Sequence, residues 1–211
     1  MFMTNDIFLS PHFKLSEFVV SETASRHGID NTPPEEAVEN LRRLCQGTLK
    51  PLREALQLPV VITSGFRTKA LNDRLAHSSE RSQHMQGCAA DFYVNYAAEP
   101  RFNGLRPVQS SKFKVQGGGD AVQGSLTKVR ATQGSMTKIK VQGRREVLIK
   151  AFRLIITSHE IDYDQLILYP NFIHVSYVSK ERNRHNILKA RSNGKLGYGK
   201  LSYANAILLN Y

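Results

Sequence analysis

Two short stretches far apart in the chain limit what it can fold into: Ser82-Gln83-His84-Met85-Gln86-Gly87-Cys88-Ala89-Ala90-Asp91, and later Phe172-Ile173-His174-Val175-Ser176. A histidine and an aspartate seven residues apart can present two metal-binding side chains to one point if the chain reverses between them. Gly87 permits that reversal, because a residue with no Cβ can take positive φ or pass close to an ion. In the second stretch Phe172, His174 and Ser176 share one face of an extended segment, and Ile173, Val175 and Tyr177 share the other. His174 can then face a cleft while its neighbours face a core. A catalytic zinc takes three such protein ligands and keeps the fourth position for water, whose pKa it lowers toward neutrality. The expected zinc ligands are His84, Asp91 and His174.

The chain of 211 residues, 41% hydrophobic, is long enough for one domain with a substantial core, so 1–211 is expected to be a single domain with an insertion. Neither a signal peptide nor a membrane span is visible, which predicts synthesis in the cytoplasm. Cys45 and Cys88 are too few for a disulfide framework and are expected to be buried, reduced thiols. The net charge of +11 would suggest an anionic partner. Its distribution narrows that inference. Residues 101–145 hold ten Lys/Arg against the single acid Asp120, a net of +9, whereas the remainder holds 19 basic against 17 acidic groups.

Read in order, Ser16 predicts the cap of a short amphipathic helix ending near Gly28. Thr32-Pro33-Pro34-Glu35 predicts a capping box opening a helix through Leu56, with Pro51 kinking or breaking it. Val60–Ser64 reads as a buried strand stopped by Gly65, followed by a helix from Thr68 to Leu75, and Ala89–Val94 reads as a second strand. From Ala97 to Gly143 periodicity is lost. Gln-Gly recurs there four times, and Ser125-Leu126-Thr127-Lys128-Val129 resembles Ser135-Met136-Thr137-Lys138-Ile139, so 97–143 is read as a basic, internally repeated insertion, either a β-hairpin pair or disordered. Helical spacing returns from Val147 to Ile155. Two strands about Pro170-Asn171 predict an antiparallel hairpin, Ser179 to Gly199 reads as loop, and Ile207-Leu208-Leu209 is expected to pack back on the domain. The fold class expected is α+β, a small antiparallel sheet carrying the zinc site and flanked by helices.

The pattern Ser82-x-His84-x-x-Gly87-x-Ala89-x-Asp91, preceded by Ser64-Gly65-Phe66-Arg67 and followed by Phe172-Ile173-His174-Val175-Ser176, resembles the zinc D-Ala-D-Ala carboxypeptidase family. That family is related to hedgehog-like metallopeptidases and includes phage endolysins that cut peptidoglycan stem peptides. The resemblance covers Leu15 to Ala98 and Arg144 to Val178. It implies one Zn2+ on His84, Asp91 and His174, and it implies Arg67 and Ser82 as substrate-holding residues, the arginine through paired hydrogen bonds to a carboxylate.

One departure stands out. The family places a glutamate shortly before its last histidine as general base, whereas here the segment reads Leu168-Tyr169-Pro170-Asn171-Phe172-Ile173. Asp164, at the start of the preceding strand, and Tyr169 are the catalytic candidates that remain, with Asn171 in the same region. Tyrosine can stabilise an oxyanion but is a poor base at neutral pH, its pKa being about 10. His12, His27, His77, His159 and His185 have no partner at metal spacing and are expected to be surface or packing residues. The expected function is zinc-dependent hydrolysis of peptidoglycan stem peptides, by a carboxypeptidase or an endolysin-type endopeptidase. The alternatives are a zinc-binding pseudoenzyme that holds cell-wall peptide without cutting it, and nonspecific binding of nucleic acid or another anionic polymer through 101–145. A monomer is expected. A cell-wall substrate for a chain without an export signal implies release after synthesis, as for a phage or prophage lysis protein.

Overall fold

The computed structural model describes residues 6–76, 78–98, 133–190 and 198–209, with side chains at all of them except 98, 133–141 and 198. Strand β1 (Phe8–Ser10) pairs with β2 (Phe13–Lys14) as a small hairpin ahead of α1 (Ser16–Val19) and α2 (Glu22–His27). The single helix expected from Ser16 to Gly28 is therefore two. Ser16 does not cap: its hydroxyl hydrogen-bonds Asp6 at 2.5 Å. Val20 is extended, Ser21 caps α2 by accepting from the Ala24 amide, and Gly28 closes it in the left-handed region at φ 61°.

The capping box expected at Thr32 does not form, because both the amide and the hydroxyl of Thr32 turn back to Asp30, at 2.9 and 2.6 Å. Pro34 instead precedes α3 (Glu35–Leu44), which runs through a π turn (Cys45–Leu49) into α4 (Lys50–Leu56). Pro51 does not break the helix. It sits in the first turn of α4, and Gly47 O, which lies four residues before Pro51 and receives no amide from it, accepts the Asp162 amide at 3.0 Å. Gly47 also leaves room for Tyr177, since a Cβ there would lie 2.8 Å from the ring. The missing proline donor is thus replaced by a tertiary bond that docks the chain just ahead of the later hairpin.

Strand β3 (Val60–Ser64), α5 (Lys69–Arg74) capped by Thr68, and β4 (Ala89–Val94) follow as the residues predict. Helix α6 spans Gln133–Thr157. Residues 133–143, including the second repeat at Ser135–Ile139, are helical and not a β-hairpin; with no proline or β-turn signal to stop it, the helix extends ahead of its core-facing stripe. The first repeat and most of the basic segment, 99–132, lie outside the described residues. Val147, Leu148, Ala151, Phe152 and Ile155 of α6 are buried.

Strands β5 (Gln165–Leu168) and β6 (Ile173–Ser176) form the expected antiparallel hairpin. Beyond them the segment expected to be loop supplies β7 (Asn186–Ala190) and β8 (Tyr198–Lys200), followed by α7 (Tyr203–Ile207). The main sheet is consequently neither small nor wholly antiparallel: it has six strands in the order β3-β4-β6-β5-β7-β8, and β7 runs parallel to β5. Helix and sheet together fit the α+β class. Ile207 and Leu209 pack against the core, while Leu208 points away at 70% exposure. Cys45 and Cys88 are free and buried, as expected, and burial raises the pKa of both thiols, that of Cys45 well above the ordinary range.

Candidate metal centre

The two ligand-bearing strands are neighbours. In the β4–β6 ladder Asp91 stands directly opposite His174, so their side chains rise from one face of one rung. Ile173 and Val175, on the other face of β6, are fully buried in the core and hold that strand in register. His84 comes from a 3-10 turn (Gln83–Gln86) that ends at Gly87, and the chain there takes φ 70°. The glycine is required twice over, because a Cβ at that position would lie 2.3 Å from Ala37 O.

The three side chains converge. His174 Nδ1 lies 2.8 Å from Asp91 Oδ1, His84 Nε2 lies 3.2 Å from His174 Nδ1, and His84 Nε2 lies 3.4 Å from Asp91 Oδ1. Zinc bonds to nitrogen and oxygen ligands are about 2.0–2.2 Å, so the edge of a tetrahedral site is about 3.3 Å. The triangle of ligand atoms matches that edge, and the donor set of two imidazoles and a carboxylate suits zinc.

His84 is prepared as a ligand by what surrounds it. Its Nδ1 lies 2.6 Å from Gly65 O, and since a carbonyl only accepts, Nδ1 carries the proton and Nε2 offers its lone pair. Burial lowers the His84 pKa against the opposing pull of Asp91, which keeps the ring neutral. Gly65 is held in turn by α1: a Cβ on it would meet Phe18 O at 2.5 Å, and the next amide, Phe66, donates to that same oxygen at 2.7 Å. Burial would raise the Asp91 pKa, but His84 and His174 outweigh it and hold the carboxyl well below its usual range. The second Asp91 oxygen, Oδ2, accepts from Arg67 Nη2 at 3.3 Å, while Arg67 Nε donates to Ser64 Oγ at 3.2 Å.

With this geometry in place the comparison with known families is decisive: residues 11–119 match peptidase M15. The chain belongs to the peptidase M15 family. It is on that ground a metallopeptidase in general kind, from a zinc-dependent family. No curated protein and no solved structure matches it. His174 lies beyond the matched residues, and it is the sheet that brings this third candidate ligand to the two inside them.

The candidate centre opens on a cleft of about 780 Å³ lined by Arg67, Ser82, Asp164, Tyr169 and Phe172 as well as by His84, Asp91 and His174. Every residue expected at the site therefore borders one cavity. Ser82 precedes the 3-10 turn without capping it through its side chain. Tyr169 stacks on Phe172, with ring centroids 4.2 Å apart and planes 12° apart, forming an aromatic wall at the hairpin tip. No glutamate lines the cleft among the described residues; its acids are Asp91 and Asp164.

Asp164 is buried and fully engaged. It accepts from the Arg184 amide at 2.9 Å, from Arg184 Nε at 2.8 Å and Nη2 at 2.5 Å, and from Gln83 Nε2 at 2.8 Å. Burial would raise its pKa, but the hydrogen bonds from Arg184 and Gln83 hold it down to about 2. Gln83 adjoins His84, and the Asp164 amide donates to Ser176 O at 2.7 Å on the strand that carries His174. Asp164 thus ties together the two ligand-bearing stretches. Gly65, Gln83 and Arg184 are site residues that the sequence reading did not single out: Gly65 acts only through its carbonyl, and Gln83 and Arg184 only through Asp164. Of the other histidines, His185 pairs with Asp162 at 2.7 Å and His12 lies 3.6 Å from Glu54, away from the centre, and His77 lies outside the described residues.

Proposed function

We propose that this M15 chain is a zinc-dependent peptidase that hydrolyses peptidoglycan stem peptides, and that His84, Asp91 and His174 hold the ion. The observation that carries this reading is the triangle of ligand atoms, two of them on one ladder rung and the third oriented by Gly65 O. Zinc bound there supplies Lewis acidity and a water of near-neutral pKa. The chain's own groups do the rest. Arg67 spends Nε on Ser64 and Nη2 on Asp91, and its remaining donors are suited to a substrate carboxylate or carbonyl at the cleft. Ser82 adds a hydroxyl on the same side. Tyr169, flattened against Phe172 and lining the same cleft as Arg67, carries a phenol hydroxyl that can donate a hydrogen bond to developing negative charge on the scissile carbonyl oxygen.

Among the described residues that line the cleft, none is placed as a general base. Asp164, with a pKa held to about 2 and its oxygens filled by Arg184 and Gln83, acts in this reading as a positioning group and not as a base. Loss of a general base costs about 10²–10⁴-fold, so turnover is expected to be slow. That same absence favours a second reading, a zinc-bearing protein that binds cell-wall peptide without cutting it. Digestion of defined peptidoglycan fragments, with products read by mass, separates the two: chelator-sensitive cleavage supports the peptidase, and intact fragments after prolonged incubation with zinc-loaded protein support the binder. The same products distinguish loss of a terminal residue, a carboxypeptidase, from cleavage within the stem, an endolysin.

A further inference from the structure

We infer that the cleft contains a second anion subsite, formed by Arg81 and Arg182, which selects peptides carrying an acidic side group in addition to their terminal carboxylate. This rests on the peptidase reading of the same cleft. Four arginines and two carboxylates line the cavity. Arg67 pairs with Asp91 and Arg184 with Asp164, so those charges are compensated within the protein. Arg81 and Arg182 are exposed at the cleft and have no carboxylate within ion-pair distance among the described residues. Glu181 lies next to Arg182 and its pKa is lowered by hydrogen bonds and in smaller part by that charge, but neither guanidinium is in an ion pair among the described residues, and two unpaired guanidinium groups bordering one cavity favour an anionic occupant.

Both arginines are mounted on turns that are already tied down. Arg182 donates its amide to Ser179 O at 3.1 Å, and the next residue, Asn183, is clamped by three bonds: its amide to Ser179 O at 3.0 Å, its Nδ2 to Asp162 Oδ2 at 2.9 Å, and its Oδ1 from the Val178 amide at 2.9 Å. Arg184, the residue after Asn183, is held on Asp164. The backbone carrying Arg182 is thus fixed on both sides, so little ordering is lost when a ligand binds. Arg81 sits in a bend in which Ser79 Oγ accepts the Arg81 amide at 3.1 Å and Ser79 O accepts the Ser82 amide at 3.1 Å. Ser82 leads directly into the turn that carries His84. The aromatic pair Tyr169 and Phe172 borders the same cavity without charge, so the Arg81 and Arg182 region is the part of the cleft free to take a further carboxylate. Planar guanidinium groups engage a carboxylate with two parallel hydrogen bonds, which an amide of the same shape cannot accept equally.

The test uses two fluorescent tetrapeptides, both with a free C-terminal carboxylate, one with an internal glutamate and the other with glutamine in its place. Anisotropy is read directly after mixing with the zinc-loaded full chain, and the same mixtures are later scored for cleavage by mass. The wild type should bind the glutamate peptide at least about tenfold more tightly, the size of a charge-assisted contact. Arg81→Gln and Arg182→Gln together should bring both peptides to the affinity the wild type has for the glutamine peptide, while Lys150→Gln, the loss of a cation on α6 that does not line the cleft, leaves the preference intact. Equal wild-type affinities, no binding of either peptide, or a preference surviving the double substitution each overturn the subsite. Cleavage of both peptides without preference sinks the subsite and keeps the peptidase, whereas acid-selective binding without cleavage keeps the subsite and sinks the peptidase.

Discussion

Single atoms decide much of this centre. Gly65 offers one carbonyl to His84 and has no space for a Cβ beside Phe18. Gly65→Ala is expected to displace that carbonyl and weaken zinc binding about 10–100-fold, the usual effect of losing a ligand's orienting partner, as measured by competition with a chromophoric chelator. Gly87→Ala meets both a left-handed φ and Ala37 O, and should cost about 3 kcal/mol in urea unfolding. His84→Ala, Asp91→Ala or His174→Ala should each reduce metal from one equivalent per chain to a trace by elemental analysis. The candidate ligand triad was legible in the sequence because its chemistry is carried by side-chain type, with His84 and Asp91 closely spaced and His174 on a strand pattern of its own. The carbonyl of Gly65 was not, because every residue has a carbonyl and only the packing of α1 shows which one reaches a histidine.

Among the elements, the strands and helices with strong local signals, β3, α5, β4 and the β5–β6 hairpin, formed where alternation and caps placed them. Helix α6 began ten residues before the expected end of the insertion, and β7 and β8 arose in a stretch read as loop. β7 has no strong alternation of its own; its pairing with β5 is made by a parallel ladder and by Arg184 just ahead of it, contacts that lie far apart in sequence. Asp164 was visible as an acid near the site, but its partners were not. Its depressed pKa implies stability that is present above the unfolded-state value of 3.8 and is lost as the pH falls toward about 2. Asp164→Asn should therefore lose about 2 kcal/mol near neutral pH and converge with the wild type only below about pH 2, as followed by denaturant titration across pH. It should also lower zinc affinity, since Gln83 and β6 lose their shared anchor.

At the scale of the whole molecule, ligand binding and folding are linked. An ion held by groups from the 3-10 turn, β4 and β6 binds the folded state only, so zinc at a hundredfold excess over its dissociation constant should add about 2.7 kcal/mol, and a chelator should lower the thermal midpoint of the wild type but not of His84→Ala. The chain is also indivisible at its middle. Asp91 and His174 share one rung of β4 and β6, yet the recognisable family segment stops at residue 119. A shortened protein made to those bounds would carry two ligands in place of three and would leave β4 with a bare hydrogen-bonding edge, ready to pair with another copy. Trimming this protein to its most recognisable half would yield an aggregate instead of a smaller enzyme.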